Sequence, residues 1–304
     1  MRILISGSSG LIGRALVARL QRGGHTITRL VRSTKRPYSE ATILWQPIEG
    51  KLQLSALEGF DAVVHLAGEN ISSGRWTQAV KDRIRRSRVT GTKLLAESLA
   101  ELEQPPRVFV SSSAMGYYGN RGDELVTEDA EPGVDFLADV CREWEAACQP
   151  AVNRGIRVVH PRTGVVLARE GGALAKMLLP FRLCLGGRMG DGHQYMSWIT
   201  LEDEVAALVH LLESDGVSGP VNLAAPNPVT NREFTRTLAS VLGRPAILPV
   251  PAFMLRLVLG EMADALLLSS TRMSCEKLEQ SGFSFEQAEL EGALRSVLGG
   301  QGAG

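Results

Sequence analysis

Three glycines stand three residues apart near the start of the chain, in the stretch ILISGSSGLIG. Gly7 follows a short apolar run and permits a sharp turn, Gly10 lets backbone approach a pyrophosphate, and Gly13 lets a helix pack closely on a strand. The free N–H groups and the positive dipole end of that helix would bind the phosphates. The pattern predicts a dinucleotide site formed by Gly7, Ser9, Gly10, Leu11, Ile12 and Gly13.

Basic residues follow the second apolar run of the chain, in TRLVRSTKR. An acidic residue at this strand end binds the ribose 2′-hydroxyl of NAD, whereas an arginine accommodates the 2′-phosphate of NADP. Arg32 stands at the expected strand end, Lys35 and Arg36 follow it, and the next carboxylate is Glu40. Because a guanidinium group binds phosphate oxygens in pairs, we expect the cofactor to be NADP, with Arg32 as its ligand.

Apolar runs and helical patterns alternate over the first two thirds of the chain. The runs cover residues 2–6, 26–31, 62–66, 108–112 and 157–161, and the helical stretches cover residues 11–22, 78–102 and 135–153. Near-continuous apolar strands that alternate with helices are typical of a parallel sheet covered on both faces. The sequence therefore predicts an α/β fold with a Rossmann-type doubly wound parallel sheet, whose strand ends position the glycine turn and Arg32.

The alternation ends after residue 161. The glycine-rich segments EGG and LGGRMGDGH follow, and the pattern is largely helical from 230 to 297. We expect residues 1–169, with 198–226 returning to them, to form the dinucleotide-binding domain. A smaller, mainly helical C-terminal lobe that encloses the substrate is expected from residues 170–197 and 227–298, and residues 299–304 are expected to be a frayed tail.

Composition narrows the class of partner. The chain has 33 basic and 33 acidic residues, so no net field attracts nucleic acid or an anionic membrane. Its four cysteines form no CxxC pair and no metal-ligand spacing with the five histidines. The most apolar stretch, 250–268, contains three charged residues, and the N-terminus lacks a signal-peptide pattern. We therefore expect a cytoplasmic protein without a metal, whose partner is a small-molecule substrate.

Further motifs extend over the whole chain: DAVVHLAGEN, SRVTGTKLL, GYYG, MLLPFRLCLGG, GHQYMSWI, NLAAPNPVTNREF and LPVPAFMLRLVLGEMADALLLSS. With the glycine spacing, this set resembles the extended short-chain dehydrogenase/reductase superfamily. Within it, the set resembles an atypical branch of NAD-dependent epimerase/dehydratase-like proteins, the "epimerase family" proteins with a C-terminal domain of unknown function. The resemblance implies cofactor contacts at Leu66, Ala67, Gly68, Glu69, Arg88 and the backbone of Val166. It also implies a homodimer formed through the helical stretches 78–102 and 135–153.

The resemblance leaves the roles of three residues open. Arg88 stands where the superfamily commonly has Asn, and it could reach a phosphate or pair with Glu97 or Glu101. Glu69 could act as a base or substrate ligand, or cap a helix. His193 lies in the loop GDGHQYM, which resembles a segment that closes over substrate, and it could serve there or be structural.

A reaction centre of the superfamily combines a Ser with a Tyr and a Lys four residues further on. The Lys lowers the pKa of the Tyr, which then serves as acid and base. Ser113 matches the Ser, but DFLADVCREWE places Leu137 and Cys141 at the other two positions, or Phe136 and Val140 in a shifted register. We therefore expect the usual pair to be absent, and losing such a pair costs roughly 10²–10⁴-fold in rate.

Several functions remain open on these grounds. Tyr117 and Tyr118 follow Ser113, and either could replace the missing donor or simply pack. The first function is an NADP-dependent oxidoreductase or epimerase-like enzyme that acts on a carbonyl or sugar-nucleotide substrate. The second is a non-catalytic NADP-binding sensor or regulatory module. The third is a structural, oligomerising protein.

Overall fold

The computed structural model describes residues 1–33, 38–72 and 74–299 of the chain. Nine strands form its main sheet: β1 (Arg2–Ser6), β2 (Thr26–Val31), β3 (Ala41–Gln46), β4 (Lys51–Leu52), β5 (Ala62–His65), β6 (Val108–Ser111), β7 (Ser113–Ala114), β9 (Arg157–Thr163) and β13 (Gly219–Leu223). Their order is β13-β9-β6-β5-β1-β2-β3-β4, with β7 beside β9. The pairs within it are parallel except β3 with β4, as far as the described residues show.

Helices cover both faces of this sheet. One face carries α1 (Leu11–Arg22) and α6 (Leu201–Glu213), and the other carries α2 (Gln78–Ala100), α3 (Phe136–Ala146) and α4 (Gln149–Asn153). Because successive side chains of a strand point to opposite faces, Ile3 and Ile5 lie in the core with α1, whereas Leu4 lies in the core with α2. The Rossmann-type doubly wound fold expected from the sequence is confirmed.

Helices of the C-terminal half surround a separate apolar core. The helices are α5 (Gly172–Arg182), α7 (Asn231–Leu242) and α11 (Leu290–Gly299), and their buried residues include Leu174, Phe234 and Leu294. Two short sheets adjoin this core. They pair β10 (Val165–Leu167) with β12 (Trp198–Thr200), and β11 (Tyr195–Met196) with β14 (Val229–Thr230).

The remaining elements are short helices, turns and strands. They are β8 (Leu125–Val126), α8 (Ala252–Leu259), α9 (Glu261–Ala263), a π-helical turn (Asp264–Leu268), β15 (Arg272–Met273), α10 (Glu276–Gln280) and three 3-10 turns (Pro47–Glu49, Leu54–Leu57 and Met115–Tyr117). β8 pairs with β15, so the C-terminal segment contacts the loop that follows the third turn. No helix of the described chain is both long and apolar enough to cross a membrane.

Two details differ from the expected division into domains. β12 pairs with β10 outside the main sheet, although α6 and β13 do return to it. Leu278 and Phe283, expected in the smaller lobe, pack with α1 and α6, because the segment around α10 lies against β13. The boundaries 1–169, 198–226, 170–197 and 227–298 stay a prediction. Of the expected tail, residues 300–304 lie outside the described residues.

Candidate cofactor and active site

The glycine turn after β1 leaves no room for side chains. Gly7 has φ +66°, and a Cβ built on it would lie 2.5 Å from the carbonyl carbon of Leu66 and 2.7 Å from the nitrogen of Ala67. A Cβ on Gly13 would lie 2.3 Å from the carbonyl oxygen of Gly7. Real Cβ atoms do not approach so closely, so glycine is required at both positions. The end of β5 therefore lies directly against this turn.

The N-terminus of α1 offers uncapped backbone N–H groups. Its N-cap residue is Gly10, no side chain caps the helix, and no acidic residue lies in the first turn. Ser9 is exposed beside it, Leu11 contacts Gly171, and Ile12 packs against the core. An uncapped helix start without a competing carboxylate fits a pyrophosphate.

Beside this turn, the buried Arg29 of β2 binds Glu40, the first carboxylate that follows the strand in the sequence. Nε and Nη2 of Arg29 each donate to Glu40 over 2.8 Å, and Nη1 donates to the carbonyl oxygen of Ser8 over 3.0 Å. These hydrogen bonds lower the pKa of Glu40 to about 2. Both oxygens of Glu40 are engaged, whereas Arg32 is exposed just after β2. Lys35 and Arg36 lie outside the described residues.

Arg88 lies under the loop that joins β5 to α2. A Cβ on Gly68 would lie 3.3 Å from its guanidinium carbon, and Nη1 donates to the carbonyl oxygen of Glu69 over 3.1 Å. The guanidinium carbon also lies 5.2 Å from the ring centroid of Trp144. Burial lowers the pKa of Arg88 from its ordinary value. Gly68, Glu69 and Arg88 therefore come together at the sheet edge that carries the glycine turn.

Two alternatives for these residues are wrong. Arg88 pairs with neither Glu97 nor Glu101, and Glu97 instead lies 3.8 Å from the amine of Lys93. Glu69 does not cap α2, since the N-cap is Thr77, whose hydroxyl accepts from the backbone of Val80. The carboxylate of Glu69 is part-exposed and lies 3.9 Å from Nε of Arg83.

A 3-10 turn packs on the face of α3 that carries Leu137 and Cys141, the two positions matched to the absent Tyr and Lys. α3 contains neither residue type, and both Leu137 and Cys141 are buried. A Cβ on Gly116 would lie 3.2 Å from Cβ of Leu137 and 3.9 Å from Sγ of Cys141. Burial raises the pKa of Cys141 to about 12, so it is a neutral thiol near neutral pH. Backbone of the turn thus lies directly against these two positions.

Ser113 belongs to a buried cluster of charges. Its hydroxyl donates to Oε1 of Glu145 over 2.6 Å, and Arg162 donates to the two oxygens of Glu145 over 2.9 and 2.8 Å. Arg162 is only 2% exposed. Since a serine hydroxyl has one hydrogen, Ser113 has only its lone pairs left for a ligand. Sequence reasoning missed Glu145 and Arg162 as a pair; the signal was an arginine inside the apolar run RVVHPRT.

The two candidate tyrosines lie in different surroundings. Tyr118 is fully buried, donates to Asn222 over 2.6 Å and accepts from Arg162 over 3.1 Å. Burial raises its pKa to about 12, and its hydroxyl is engaged by Asn222 and Arg162, so these contacts argue against a donor role for Tyr118, which stays a prediction. Tyr117 is half-buried, with its ring centroid 3.4 Å from the guanidinium carbon of Arg162. Its hydroxyl forms no hydrogen bond with a described residue.

The segment after β9 lies beside a buried carboxyl group. Val166 packs against the same apolar core as Ile12, on the α1 side of the sheet. Thr163 donates to Oε1 of Glu204 over 2.9 Å, while Oε2 has no hydrogen-bond partner among the described residues. Burial raises the pKa of Glu204 to about 8. Sequence reasoning did not single out Glu204, because LEDEVAALVHLL reads as an acidic first turn of a helix.

Contacts join the β5–α2 loop and the start of α2 to the smaller lobe. Nζ of Lys81 forms an ion pair with Glu261 over 2.7 Å. Lys176 donates to the hydroxyl of Ser72 over 2.6 Å, and Arg75 lies 3.5 Å from where a Cβ on Gly260 would be. The lobe therefore contacts the edge of the sheet that carries the candidate site.

Comparison with known proteins assigns the chain to a family. The model of the NAD dependent epimerase/dehydratase family matches residues 3–136, and that of a domain of unknown function (DUF1731) matches residues 250–297.

Full-length relatives give the same result. An epimerase family protein of Mycobacterium leprae is 43% identical over 292 residues, covering 96% of this chain and 94% of the relative. Epimerase family protein YfhF of Bacillus subtilis is 36% identical over 300 residues, covering 98% of each. The crystal structure of human epimerase family protein SDR39U1 (isoform 2) with NADPH is 36% identical, with a TM-score of 0.89, covering 98% of this chain and 99% of that one. The chain therefore belongs to the epimerase family proteins of the NAD dependent epimerase/dehydratase family.

Proposed function

We propose that this protein binds NADP(H) at the carboxyl edge of its main sheet. The observation that carries the proposal is the Arg29–Glu40 pair, since it engages both oxygens of Glu40, the first carboxylate after β2 in the sequence, and leaves Arg32 to bind a 2′-phosphate. The human relative with NADPH supports the same choice. The proposed ligands are Gly7, Ser9, Gly10, Leu11, Ile12, Gly13, Arg32, Leu66, Ala67, Gly68, Glu69, Arg88 and Val166.

We further propose that the protein is an oxidoreductase that works without a Tyr-x-x-x-Lys pair. NADPH, when bound, supplies a hydride to a carbonyl carbon. The proton for the carbonyl oxygen then has to come from the chain, and Tyr117 is the proposed donor because its hydroxyl is uncommitted among the described residues. Ser113 directs its hydrogen to Glu145, so it accepts a hydrogen bond from a substrate hydroxyl. This favours a small, hydroxylated carbonyl substrate such as a sugar nucleotide.

One observation favours a second candidate, a non-catalytic NADP(H)-binding sensor or regulatory module. The turn at Gly116 packs on Leu137 and Cys141, so protein fills the space beside Ser113. In this case the cofactor is a ligand rather than a reactant, and substitution of Tyr117 leaves the function unchanged.

Fluorescence titration with NADPH and NADH tests the cofactor proposal. We expect NADPH to bind at least tenfold more tightly, a difference of about 1.4 kcal/mol, and Arg32→Ala to remove the difference. Arg22→Ala is the matched control, because Arg22 is an exposed arginine in the last turn of α1. Equal affinity for the two nucleotides, or no binding of either, would contradict the proposal.

Turnover of a panel of carbonyl compounds, alcohols and sugar nucleotides tests the chemistry. Tyr117→Phe keeps the ring over Arg162 but removes the hydroxyl, so we expect kcat to fall roughly 10²–10⁴-fold while the Kd for NADPH stays unchanged. Wild-type turnover in Tyr117→Phe would exclude this donor. NADPH binding without turnover of any panel member would favour the sensor.

A further inference from the structure

A basic cavity lies on the outer side of α7, in the smaller lobe. It has a volume of about 520 Å³, and four of its lining residues are Arg188, Arg232, Arg236 and Arg244. Ile247 and neighbouring residues of the loop after α7 form an apolar wall. Ala239 and Ala246 form the floor of the cavity and pack on the apolar core of the lobe, whereas the four arginines surround its opening.

None of these arginines is neutralised by a carboxylate in the described parts of the chain. The side chains of Arg236 and Arg244 form no hydrogen bond or ion pair there. Arg188 and Arg232 each donate to the carbonyl oxygen of Asp191, over 2.7 and 3.2 Å. These two hydrogen bonds engage a peptide oxygen, which has no net charge, so they do not neutralise either guanidinium group. Four like charges therefore line one concave surface.

Two of the arginines are held in place by a tight loop. A Cβ on Gly192, which has φ +75°, would lie 3.2 Å from Cβ of Arg232 and 3.4 Å from Cβ of Arg188. Arg232 also lies 3.1 Å from Nε2 of His193. The loop fixes the bases of both side chains, so their guanidinium groups need less ordering when an anion binds.

We propose that this cavity binds a small organic molecule that carries at least two phosphate groups. One guanidinium group can bind two phosphate oxygens at once, and it keeps its charge at any physiological pH. A single phosphate carries at most two charges, so four arginines match two phosphates. The apolar wall accommodates an organic part, and the volume lies within the ~300–1,000 Å³ typical of ligand pockets. The site lies on α7 and its flanking loops and does not depend on the proposed cofactor site.

Calorimetric titration with sodium pyrophosphate and with ADP tests the site. We expect both to bind the wild-type protein at low salt and to bind Arg236→Ala/Arg244→Ala at least tenfold more weakly. ADP is expected to bind more tightly than pyrophosphate because of the apolar wall. Gly13→Ala and Arg295→Ala are controls for the glycine turn and for a surface arginine of the same lobe, and both are expected to keep wild-type affinity for pyrophosphate.

Thermal unfolding provides a second readout. Removing two like charges that have no partner is expected to leave the Tm of the free protein unchanged or higher, and to abolish the rise in Tm that pyrophosphate causes in the wild type. Should the double variant not fold, Arg236→Gln and Arg244→Gln singly replace it. Absence of binding at millimolar pyrophosphate, or binding that survives these substitutions, overturns the proposal, and the latter outcome assigns the anion to the glycine turn instead.

Discussion

Two buried arginines of the sheet determine which polar groups remain free at the candidate site. Arg29 binds both oxygens of Glu40, and Arg162 binds both oxygens of Glu145. Each arginine thereby neutralises a carboxylate near the expected cofactor or substrate. Neither pair was predicted, because partners 11 and 17 residues apart are brought together by the packing of separate elements and not by a local pattern.

The Arg29–Glu40 pair predicts a loss of stability in acid. The folded-state pKa of Glu40, about 2, lies below its ordinary 4.5, so its contribution is fully present above pH 4.5 and is lost as the pH falls toward 2. Glu40→Gln is expected to lower the free energy of unfolding at pH 7 by about 1–3 kcal/mol. Urea unfolding at pH 7 and pH 3 checks this.

The matched control for this pair is Glu49→Gln. Glu49 pairs with Lys51, but both side chains are more than half exposed, so we expect almost no change in stability. An equal loss of stability in Glu40→Gln at both pH values would show that the charge of Glu40 is not what stabilises the fold.

At the scale of elements, the sequence pattern predicted the bounds of an element best where one of its faces is fully buried. β1, α1 and β2 begin and end at the expected residues. β3 was missed because most of its ATILWQ residues are not buried and Trp45 alone lies in the core. The helix expected over 135–153 is divided into α3 and α4, with Pro150 in the first turn of α4.

The glycine turn could be foreseen because its cause is local. Residues three apart on one strand–helix connection must pass close to each other, so their spacing alone indicates the geometry. The surroundings of Ser113 could not be foreseen in this way. The positions of Gly116, Leu137 and Arg162 depend on how a turn, a helix and a strand pack together.

The contact between α1 and β1 predicts that Gly13→Ala abolishes NADPH binding. A Cβ there would lie 2.3 Å from the carbonyl oxygen of Gly7, so the glycine turn has to move. Gly216→Ala is the control, since a Cβ on Gly216 has no atom within 4 Å. Fluorescence titration measures binding and circular dichroism measures folding. NADPH affinity of wild-type strength in folded Gly13→Ala would contradict the role given to the turn.

For the whole molecule, buried ionisable groups on both faces of the sheet shape the dependence of stability on pH. Burial lowers the pKa of His65 to about 4, and the pKa of Glu204 is about 8. Stability due to His65 is lost as the pH falls from 6.5 to 4, because the unfolded chain takes up the proton first. Stability due to Glu204 is lost as the pH rises from 4.5 to 8, because the folded chain keeps its proton longer.

These opposite slopes predict a plateau near pH 5–6 and a decline above pH 6.5. The decline belongs to Glu204 and is expected to be on the order of 1–2 kcal/mol between pH 6.5 and 8. Glu204→Gln keeps the shape of the side chain without the titrating proton, so the decline should vanish. Urea midpoints at pH 5.5, 6.5 and 8 measure it. An unchanged decline in Glu204→Gln would place the titrating group elsewhere.

The helices expected to form a dimer carry mainly charged outward faces. Arg86 and Lys93 of α2 and Arg142 of α3 are exposed. Charged faces leave little apolar area to bury in an interface. The homodimer through these helices stays a prediction.

The ion pair that joins the start of α2 to the smaller lobe has a kinetic consequence. We expect a molecule that binds between the two to leave more readily once Lys81 separates from Glu261. Exposed ion pairs are worth at most about 1 kcal/mol and weaken with salt. Added salt should therefore shorten the residence time of such a molecule, so that ionic strength sets the rate at which the site exchanges its contents.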